Sequence, residues 1–295
     1  MNLSFLNSKP GKIILYLLRL LITGYILWRI AARIELSEVW RSLLSLPWWL
    51  VVFLLFSTLV RHWGQYRNWS YALQLNPSYQ PHKREMLASY LIGLPLRFVI
   101  PGGSASAGKI LFVNNSSRWA SLFSFGAERA FLTWCTWTYA FGAALFFYAG
   151  IPLWLRILVF VLCLTAPLWA YWLMGLNERT RTLQTNYARF APRMVVIQLS
   201  IAFLSYLQYW LILRQMLPLG FWQSTIRMAL TQFSNSIPIT VAGLGLRESF
   251  AIHFLSGAGF SASQAVSATL SLFFFQDILP ALPGIGILLK VQKGV

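Results

Sequence analysis

The chain has 295 residues, of which 57% are hydrophobic and 11% are charged, and its mean hydropathy is +0.60. Soluble domains carry roughly 45–50% apolar and about 25% charged residues, so this composition excludes a water-soluble enzyme. The high apolar and aromatic content also excludes a disordered chain. The excess of 24 Lys and Arg over seven Asp and Glu indicates basic cytoplasmic loops beside anionic lipid rather than a nucleic-acid partner. A polytopic membrane protein remains.

Six apolar segments are candidates for membrane-spanning helices, because about 20 residues at 1.5 Å each cross the hydrocarbon core. We expect the second to continue past Trp63. The first is preceded by lysines but is not followed by a small-residue cleavage site, which predicts a retained span rather than a removed signal peptide. The six segments are 13–31, 46–61, 122–149, 151–174, 194–213 and 264–288.

Two other apolar segments are too short or too broken to cross the bilayer simply. Met86–Ile100 contains Pro95, where we expect an interruption, and stops at Pro101 before a second short segment, 104–117. A helix, a break and a second helix predict a re-entrant hairpin, which is tolerated only where its free backbone groups face protein or a wet cavity.

The second broken segment has the same organisation. Trp222–Ile237 stops at Pro238, passes through a glycine-containing turn and continues as 246–258. The sequence therefore predicts six full spans and two re-entrant hairpins in an all-α membrane protein.

The two hairpins are similar in position as well as in type. An offset of 137 residues places Pro101 on Pro238 and Gly108 on Gly245, and it carries the first span into the fourth. The order span, span, hairpin, span then occurs twice. We expect one transmembrane domain over 1–295, with a first repeat 1–149 containing hairpin 86–117 and a second repeat 150–295 containing hairpin 222–258.

The positive-inside rule gives the orientation of this arrangement. With both termini in the cytoplasm, fourteen Lys and Arg fall on inside segments and three on outside loops, which is the expected bias. The first hairpin then enters from the cytoplasm and the second from outside, so the halves are inverted repeats. Many secondary transporters share this layout, with the substrate site near the bilayer midplane.

Three acidic residues lie in apolar segments, namely Glu128, Glu248 and Asp277. A charge at the bilayer centre costs about 2.5–3.5 kcal/mol, so such residues usually face a cavity or a partner. Arg129 and Arg247 are direct sequence neighbours of two of these acids, and helix neighbours point about 100° apart. We therefore expect them to pair with other elements, including across the repeats. The alternative is a purely structural ion-pair network.

Arg97 lies shortly before the first break, where an arginine fork and half-helix N-termini would suit a phosphate. The segment GGSASAGK at 102–109 is not a Walker motif, and no metal-ligand spacing is present. We expect no cofactor, no metal and no catalytic residue. The candidate substrate-binding residues are Arg97, Pro101, Gly102, Gly103, Arg129, Gly243, Gly245 and Arg247, and the candidate charge-balancing or proton-coupling residues are Glu128, Glu248 and Asp277.

Three strings carry a resemblance to a known family: LRFVIPGGSASAGK from Leu96, FGAERAF from Phe125 and SIPITVAGLGLRESF from Ser236. Together they resemble the lysylphosphatidylglycerol-synthase transmembrane-domain family, most specifically through GLGLRE at 243–248. That family often has an acidic residue a few positions after Glu-Arg. Leu132 and Thr133 occupy that stretch here, so the role of that acid is lost or has passed to Asp277.

The resemblance implies handling of membrane lipid. In two-domain relatives this type of region moves aminoacylated phosphatidylglycerol between leaflets, while a soluble domain synthesises it. The longest polar stretch here is about twenty residues, so we do not expect this chain to be an enzyme. We expect a flippase-like translocase of an anionic lipid, such as aminoacylated or plain phosphatidylglycerol or a polyprenyl phosphate, in the bacterial cytoplasmic (inner) membrane.

Two other kinds of function use the same residues. A proton-coupled carrier of a small soluble anion would need a closed lateral wall, whereas a lipid carrier needs a groove open to the bilayer. A non-transporting partner of a lipid-modifying or glycolipid-pathway enzyme would need only a structural charge network. Membrane lipids are the expected partners, no nucleic acid is expected, and self-association is left open.

Overall fold

The computed structural model describes residues 28, 37, 41, 44–98, 101–237, 239–240 and 243–292, with the backbone alone for 101–105, 179, 288 and 290–292. The predicted first span, 13–31, lies outside the described residues apart from Trp28, as do Ile100 and Pro238. Within the described part the fold is entirely helical. The α-helices are α1 Trp48–Gln74, α2 Lys83–Leu96, α3 Arg118–Phe147, α4 Leu153–Leu164, α5 Ala166–Leu176, α6 Glu178–Arg214, α7 Phe221–Phe233, α8 Leu246–Ser256, α9 Ala262–Phe273 and α10 Leu279–Gln292.

Helical segments of other types lie at the breaks between these helices. A 3₁₀ helix, Pro101–Phe112, follows α2, and a second, Ser234–Ser236, follows α7. A π-helical turn, Phe274–Ile278, joins α9 directly to α10. Both predicted hairpin segments are therefore broken helices in the structure.

Three helices in the described part are long and apolar enough to cross a membrane: Arg118–Phe147, Thr180–Arg214 and Ala262–Ile287. The pair α4 and α5 would be a fourth, with a bend of 54° between its two helices. The protein is therefore a helical, multi-pass membrane protein.

The helix boundaries differ from the predicted segments where polar residues lie inside helices. α1 continues past Trp63, as expected, but runs on to Gln74, and α6 begins at Glu178 rather than at residue 194. Arginines and amides inside these helices lower the local hydropathy, so counting apolar residues underestimates their length. The predicted span 151–174 is not straight, because Pro167 restricts the residues before it and the chain bends at Thr165.

The expected interruption at Pro95 is wrong, since α2 continues through Pro95 to Leu96. A proline this close to the end of a helix removes only one of the last hydrogen bonds, the one that Leu91 would otherwise accept. That carbonyl is covered by α10: a Cβ built on Gly284 would lie 2.1 Å from the Leu91 oxygen and 2.7 Å from Cδ of Pro95. The backbones of α2 and α10 are therefore in direct contact.

The apolar core is divided into two clusters. One surrounds the start of α1 and the end of α6, with Leu50, Leu54 and Tyr209 fully buried. The other surrounds the end of α1 and the middle of α6, with Trp69 and Met194 fully buried. Polar residues separate the clusters along both helices: Ser57, Thr58, Arg61 and His62 in α1, and Gln198 and Ser205 in α6.

Helix contacts link the two halves of the chain in a regular way. Within each half, α2 packs against the long 3₁₀ helix and α7 against α8. Across the halves, α1 packs against α6, α3 against α7, and α10 against α2. The broken segments of each half therefore lie beside the last long helix of the other half.

We expect Gly284→Ala to destabilise the protein by about 1–3 kcal/mol, because the added Cβ collides with the backbone of α2 and has no space to relax. Gly286→Ala is the matched control, since a Cβ there meets nothing within 4 Å. The free energy of unfolding of both variants in detergent micelles, measured by SDS titration, checks this. Equal stability of the two variants would contradict the close approach.

Candidate functional site

A cavity of about 470 Å³ lies in the polar layer between the two apolar clusters. Arg61 lines it from the midpoint of α1, Thr133 from the middle of α3, and Asp277 from the midpoint of the continuous helix formed by α9, the π turn and α10. α3 alone has 30 residues, or about 45 Å, which exceeds the hydrocarbon thickness of about 30 Å. The cavity therefore lies near mid-depth in the bundle.

Both broken segments contribute to the cavity wall. Arg97 and Ser106 come from the first, and Asn235 and Gly243 come from the second. Gly243 has a φ of +77°, a backbone conformation in which a larger residue would be strained. A Cβ built there would lie only 2.9 Å from Oδ1 of Asn235 and would displace that side chain. The structure thus brings the two predicted hairpin regions to one site.

The first ion pair crosses the two halves of the chain. Nη1 of Arg97 lies 2.7 Å from Oδ1 of Asp277. Asp277 belongs to the π turn, which is a type of segment found frequently at functional sites, and its side chain is 9% exposed, against 34% for Arg97. Arg97 is therefore held at the cavity by an acid that is 180 residues away in sequence.

The second ion pair joins Lys109 of the long 3₁₀ helix to Glu128 of α3, and both side chains are buried. Nζ of Lys109 also lies 3.8 Å from the centroid of the Trp69 ring, which favours the cation. Gly93 of α2 makes room for this side chain, since a Cβ there would lie 2.9 Å from Cδ of Lys109. Glu128 thus pairs with another element, as predicted, although the partner was not foreseen.

The third ion pair corrects the prediction that Arg247 and Glu248 point apart. Nη2 of Arg247 lies 2.8 Å from Oε1 of Glu248, while Oε2 of Glu248 accepts a hydrogen bond of 2.6 Å from the amide of Gly245. Both residues lie in the first turn of α8, where the acid caps the helix and the long arginine side chain folds back onto it. No cross-repeat pair of Arg129 with Glu248 or of Arg247 with Glu128 forms between these described residues.

Two cavity arginines have no carboxylate within 4.0 Å in the described part of the chain. Arg61 donates to the carbonyl of Gln276 at 3.3 Å, and Arg129 donates to Oγ of Ser106. A guanidinium has five N–H donors, so both retain donors for a ligand. Among the described residues lining the cavity, five Lys and Arg face two carboxylates, and the site is electropositive.

A network of polar side chains supports this layer. Nε2 of His62 lies 3.0 Å from the Gln276 carbonyl and Nδ1 lies 2.7 Å from the Tyr90 hydroxyl. That carbonyl lies in the π turn and also accepts from Arg61. The amide of Gln276 meets Gln208, which in turn donates to Oγ of Ser57 at 2.6 Å. The network fixes the π turn against α1 and α6.

The cavity reaches the outer surface of α3. Thr133 lines the cavity and is also exposed on an outward stripe of that helix. Trp137, one turn further and 40% exposed, donates from Nε1 to Oγ of Ser236 at 2.8 Å beside the same opening. The exposed stripe consists of Leu122, Phe123, Gly126, Ala130, Thr133 and Trp137.

The predicted site residues fall into three groups. Arg97, Arg129, Gly243 and Arg247 line the cavity, together with Glu128 and Asp277. Gly245 and Glu248 lie behind the wall, where they hold Arg247. The remaining three, Pro101, Gly102 and Gly103, begin the long 3₁₀ helix, and only their backbone is described.

The sequence did not single out Arg61, His62, Lys109 or Gln276, which all line the cavity. Arg61 and Lys109 are two of the fourteen basic residues expected on inside segments, and the structure places both within helical segments at the cavity wall. A signal did exist for Arg61 and His62, since a charged and a polar residue follow one another at the end of an apolar segment that is expected to continue as a helix past Trp63.

These features can be compared with known proteins. A sequence model of the family described as lysylphosphatidylglycerol synthase TM region matches residues 16–284. The chain belongs to this family. The match covers both broken segments and all three ion pairs, and it makes the chain an integral membrane protein of lipid metabolism. A comparison with curated proteins gives no significant match.

We expect Lys109→Met to lower the free energy of unfolding by about 3–5 kcal/mol, because it leaves Glu128 charged, buried and unpaired. The double variant Lys109→Met with Glu128→Gln removes the stranded charge and should be more stable than the single variant. Lys83→Met, at an exposed position, should change stability by no more than about 0.5 kcal/mol. SDS titration in micelles measures all three, and a double variant no better than the single one would contradict the pairing.

Proposed function

We propose that this protein is a lipid translocase that moves an anionic phosphate-bearing lipid between the leaflets of the bacterial cytoplasmic membrane, without converting it chemically. The observation that carries the proposal is the electropositive cavity at mid-depth with its opening at Thr133 on the outer face of α3. Membership of a lipid-related membrane family supports the same class of substrate.

The lateral opening favours a lipid over a soluble anion. Thr133 lies in the middle of a helix that is longer than the hydrocarbon core is thick, so the opening faces acyl chains rather than water. Exposed Leu122 and Phe123 on the same stripe offer an apolar surface for those chains. A headgroup can therefore occupy the cavity while its chains remain in the bilayer.

The packing of helices supports two inverted repeats, 1–149 and 150–295. Shifting α1 by 137 residues gives 185–211, within α6, and shifting α3 gives 255–284, over α9, the π turn and the first six residues of α10. The contact of α3 with α7 then corresponds to the contact of α10 with α2. A pseudo-two-fold relation accounts for these paired contacts, and it is the relation on which alternating access in many transporters depends.

The proposed transport cycle exposes the cavity first to one leaflet and then to the other by relative motion of the repeats. Basic residues hold the lipid phosphate, while Glu128, Glu248 and Asp277 neutralise neighbouring cations and are the candidates for proton coupling. Synthesis of the lipid is assigned to a separate enzyme.

The decisive experiment is reconstitution in liposomes with headgroup-labelled phosphatidylglycerol, followed by quenching of the outer leaflet. Wild type should move the label between leaflets, and Thr133→Trp should abolish most of this activity because the indole closes the lateral opening. Ser200→Trp is the control, since Ser200 is exposed in α6 and does not line the cavity. Uptake of soluble glycerol 3-phosphate without lipid movement would instead establish a solute carrier.

The inverted orientation predicts opposite accessibility of two loops. With Cys135 and Cys163 replaced by alanine, Asn114→Cys should be shielded from an impermeant thiol reagent outside intact cells, because the first hairpin returns to the cytoplasm. Ser256→Cys should react, because the second hairpin returns to the outside; both positions are exposed in the structure. Labelling of both positions from one side would contradict the inverted repeats.

A further inference from the structure

We infer that the site selects a lipid phosphate whose headgroup carries no ammonium group, with a phosphomonoester preferred over a phosphodiester and aminoacylated lipid disfavoured. This inference rests on the proposed function and specifies its substrate class. It depends on which polar groups of the cavity are already bonded and which are not.

The acidic groups at the site are all engaged. Asp277, Glu128 and Glu248 each form an ion pair with a basic residue. An ammonium group can only donate hydrogen bonds, and the two carboxylates that line this cavity are already paired with Arg97 and Lys109. An aminoacyl headgroup would therefore place its ammonium group among five Lys and Arg side chains, beside two carboxylates that each already neutralise a basic residue.

The cavity groups that have no acidic partner or no hydrogen-bond partner in the described part of the chain can all donate hydrogen bonds. Arg61 and Arg129 line the cavity without a carboxylate partner in the described part of the chain. Two nearly fully buried side chains in the cavity wall also have an atom without a hydrogen-bond partner in that part, namely Oγ1 of Thr240 and Nε2 of Gln198. Buried donors without acceptors are costly, and a phosphate, which presents only acceptors, satisfies them.

The amount of charge distinguishes the kinds of phosphate. Two arginines without acidic partners suit a group carrying two negative charges, as a phosphomonoester does near neutral pH, better than a phosphodiester with one. Lysyl-phosphatidylglycerol has a net positive headgroup and suits the site least. The order of affinity that follows is phosphatidic acid, then phosphatidylglycerol, then lysyl-phosphatidylglycerol.

The test measures binding separately from transport. Native mass spectrometry of the purified protein in detergent gives the affinities for the three lipids and for soluble glycerol 3-phosphate. We expect lysyl-phosphatidylglycerol to bind at least about tenfold more weakly than phosphatidylglycerol, and glycerol 3-phosphate to bind more weakly than phosphatidic acid. Equal or tighter binding of lysyl-phosphatidylglycerol, or of glycerol 3-phosphate, would overturn the inference.

Substitutions test which side chains donate hydrogen bonds to the lipid phosphate. Arg61→Gln and Arg129→Gln should each weaken phosphatidic acid binding about ten- to hundredfold, and Thr240→Val roughly two- to tenfold. Exposed Arg214 and Thr185 provide the matched controls Arg214→Gln and Thr185→Val, which should bind like wild type. Arg129→Lys keeps the charge and should bind more tightly than Arg129→Gln, so a folded variant is available if the glutamine variants unfold.

The outcomes separate the two proposals. Expected selectivity without movement of lipid between leaflets would overturn the proposed function and support the binding site. Movement of lipid with affinities unchanged in Arg61→Gln, Arg129→Gln and Thr240→Val would overturn the binding site and support the translocase.

Discussion

The structure depends on ion pairs and hydrogen bonds that hold charged side chains in the hydrocarbon core of the bilayer. Each such charge costs about 2.5–3.5 kcal/mol at the bilayer centre, and the protein meets this constraint where its helices are irregular. Lys109 lies in a 3₁₀ helix, Asp277 lies in a π turn, and Glu248 caps the start of α8. Irregular backbone requires hydrogen bonds that a membrane cannot supply, so the same polar layer that holds the charges also satisfies the helix breaks.

The two interpretations of the buried charges, a structural network and a binding site, apply to different residues. Arg247 is 6% exposed and pairs with Glu248, and Lys109 is 5% exposed and pairs with Glu128. These pairs hold the cavity wall. Arg61 and Arg129 face the cavity with unused donors, and the wall pairs keep the nearby carboxylates from neutralising them. The structural network therefore maintains the positive potential on which the proposed binding depends.

The sequence predicted the features that follow from local physics. Apolar length predicted helical membrane segments, and Pro101 and Gly243 marked the two breaks. Side-chain partners could not be predicted, because Arg97 and Asp277 are 180 residues apart and no local pattern joins them. The rule that neighbours on a helix point apart failed at Arg247 because it describes regular helix interiors, whereas the first turn leaves an acid free to cap the backbone.

Polar residues within long helices were the hardest to assign from the sequence. Arg61 at the end of the predicted span 46–61 and Asn186 before the predicted span 194–213 lie in polar stretches of α1 and α6, and these two helices extend furthest beyond their predicted ends. A loop and a polar stretch of a long helix have similar composition. Only the packing of the two helices against each other shows that these residues lie inside the bundle.

The contact between Gly284 and the carbonyl of Leu91 has a mechanical consequence. Since no side chain separates the two backbones there, α2 and α10 have no layer of rotatable groups that could absorb sliding. At this contact α2 and α10, which are far apart in sequence, are packed backbone against backbone. Any rearrangement that displaces Arg97 at the end of α2 must carry the last helix with it. The proposed motion of the two repeats would therefore have to leave α2 and α10 together at this contact.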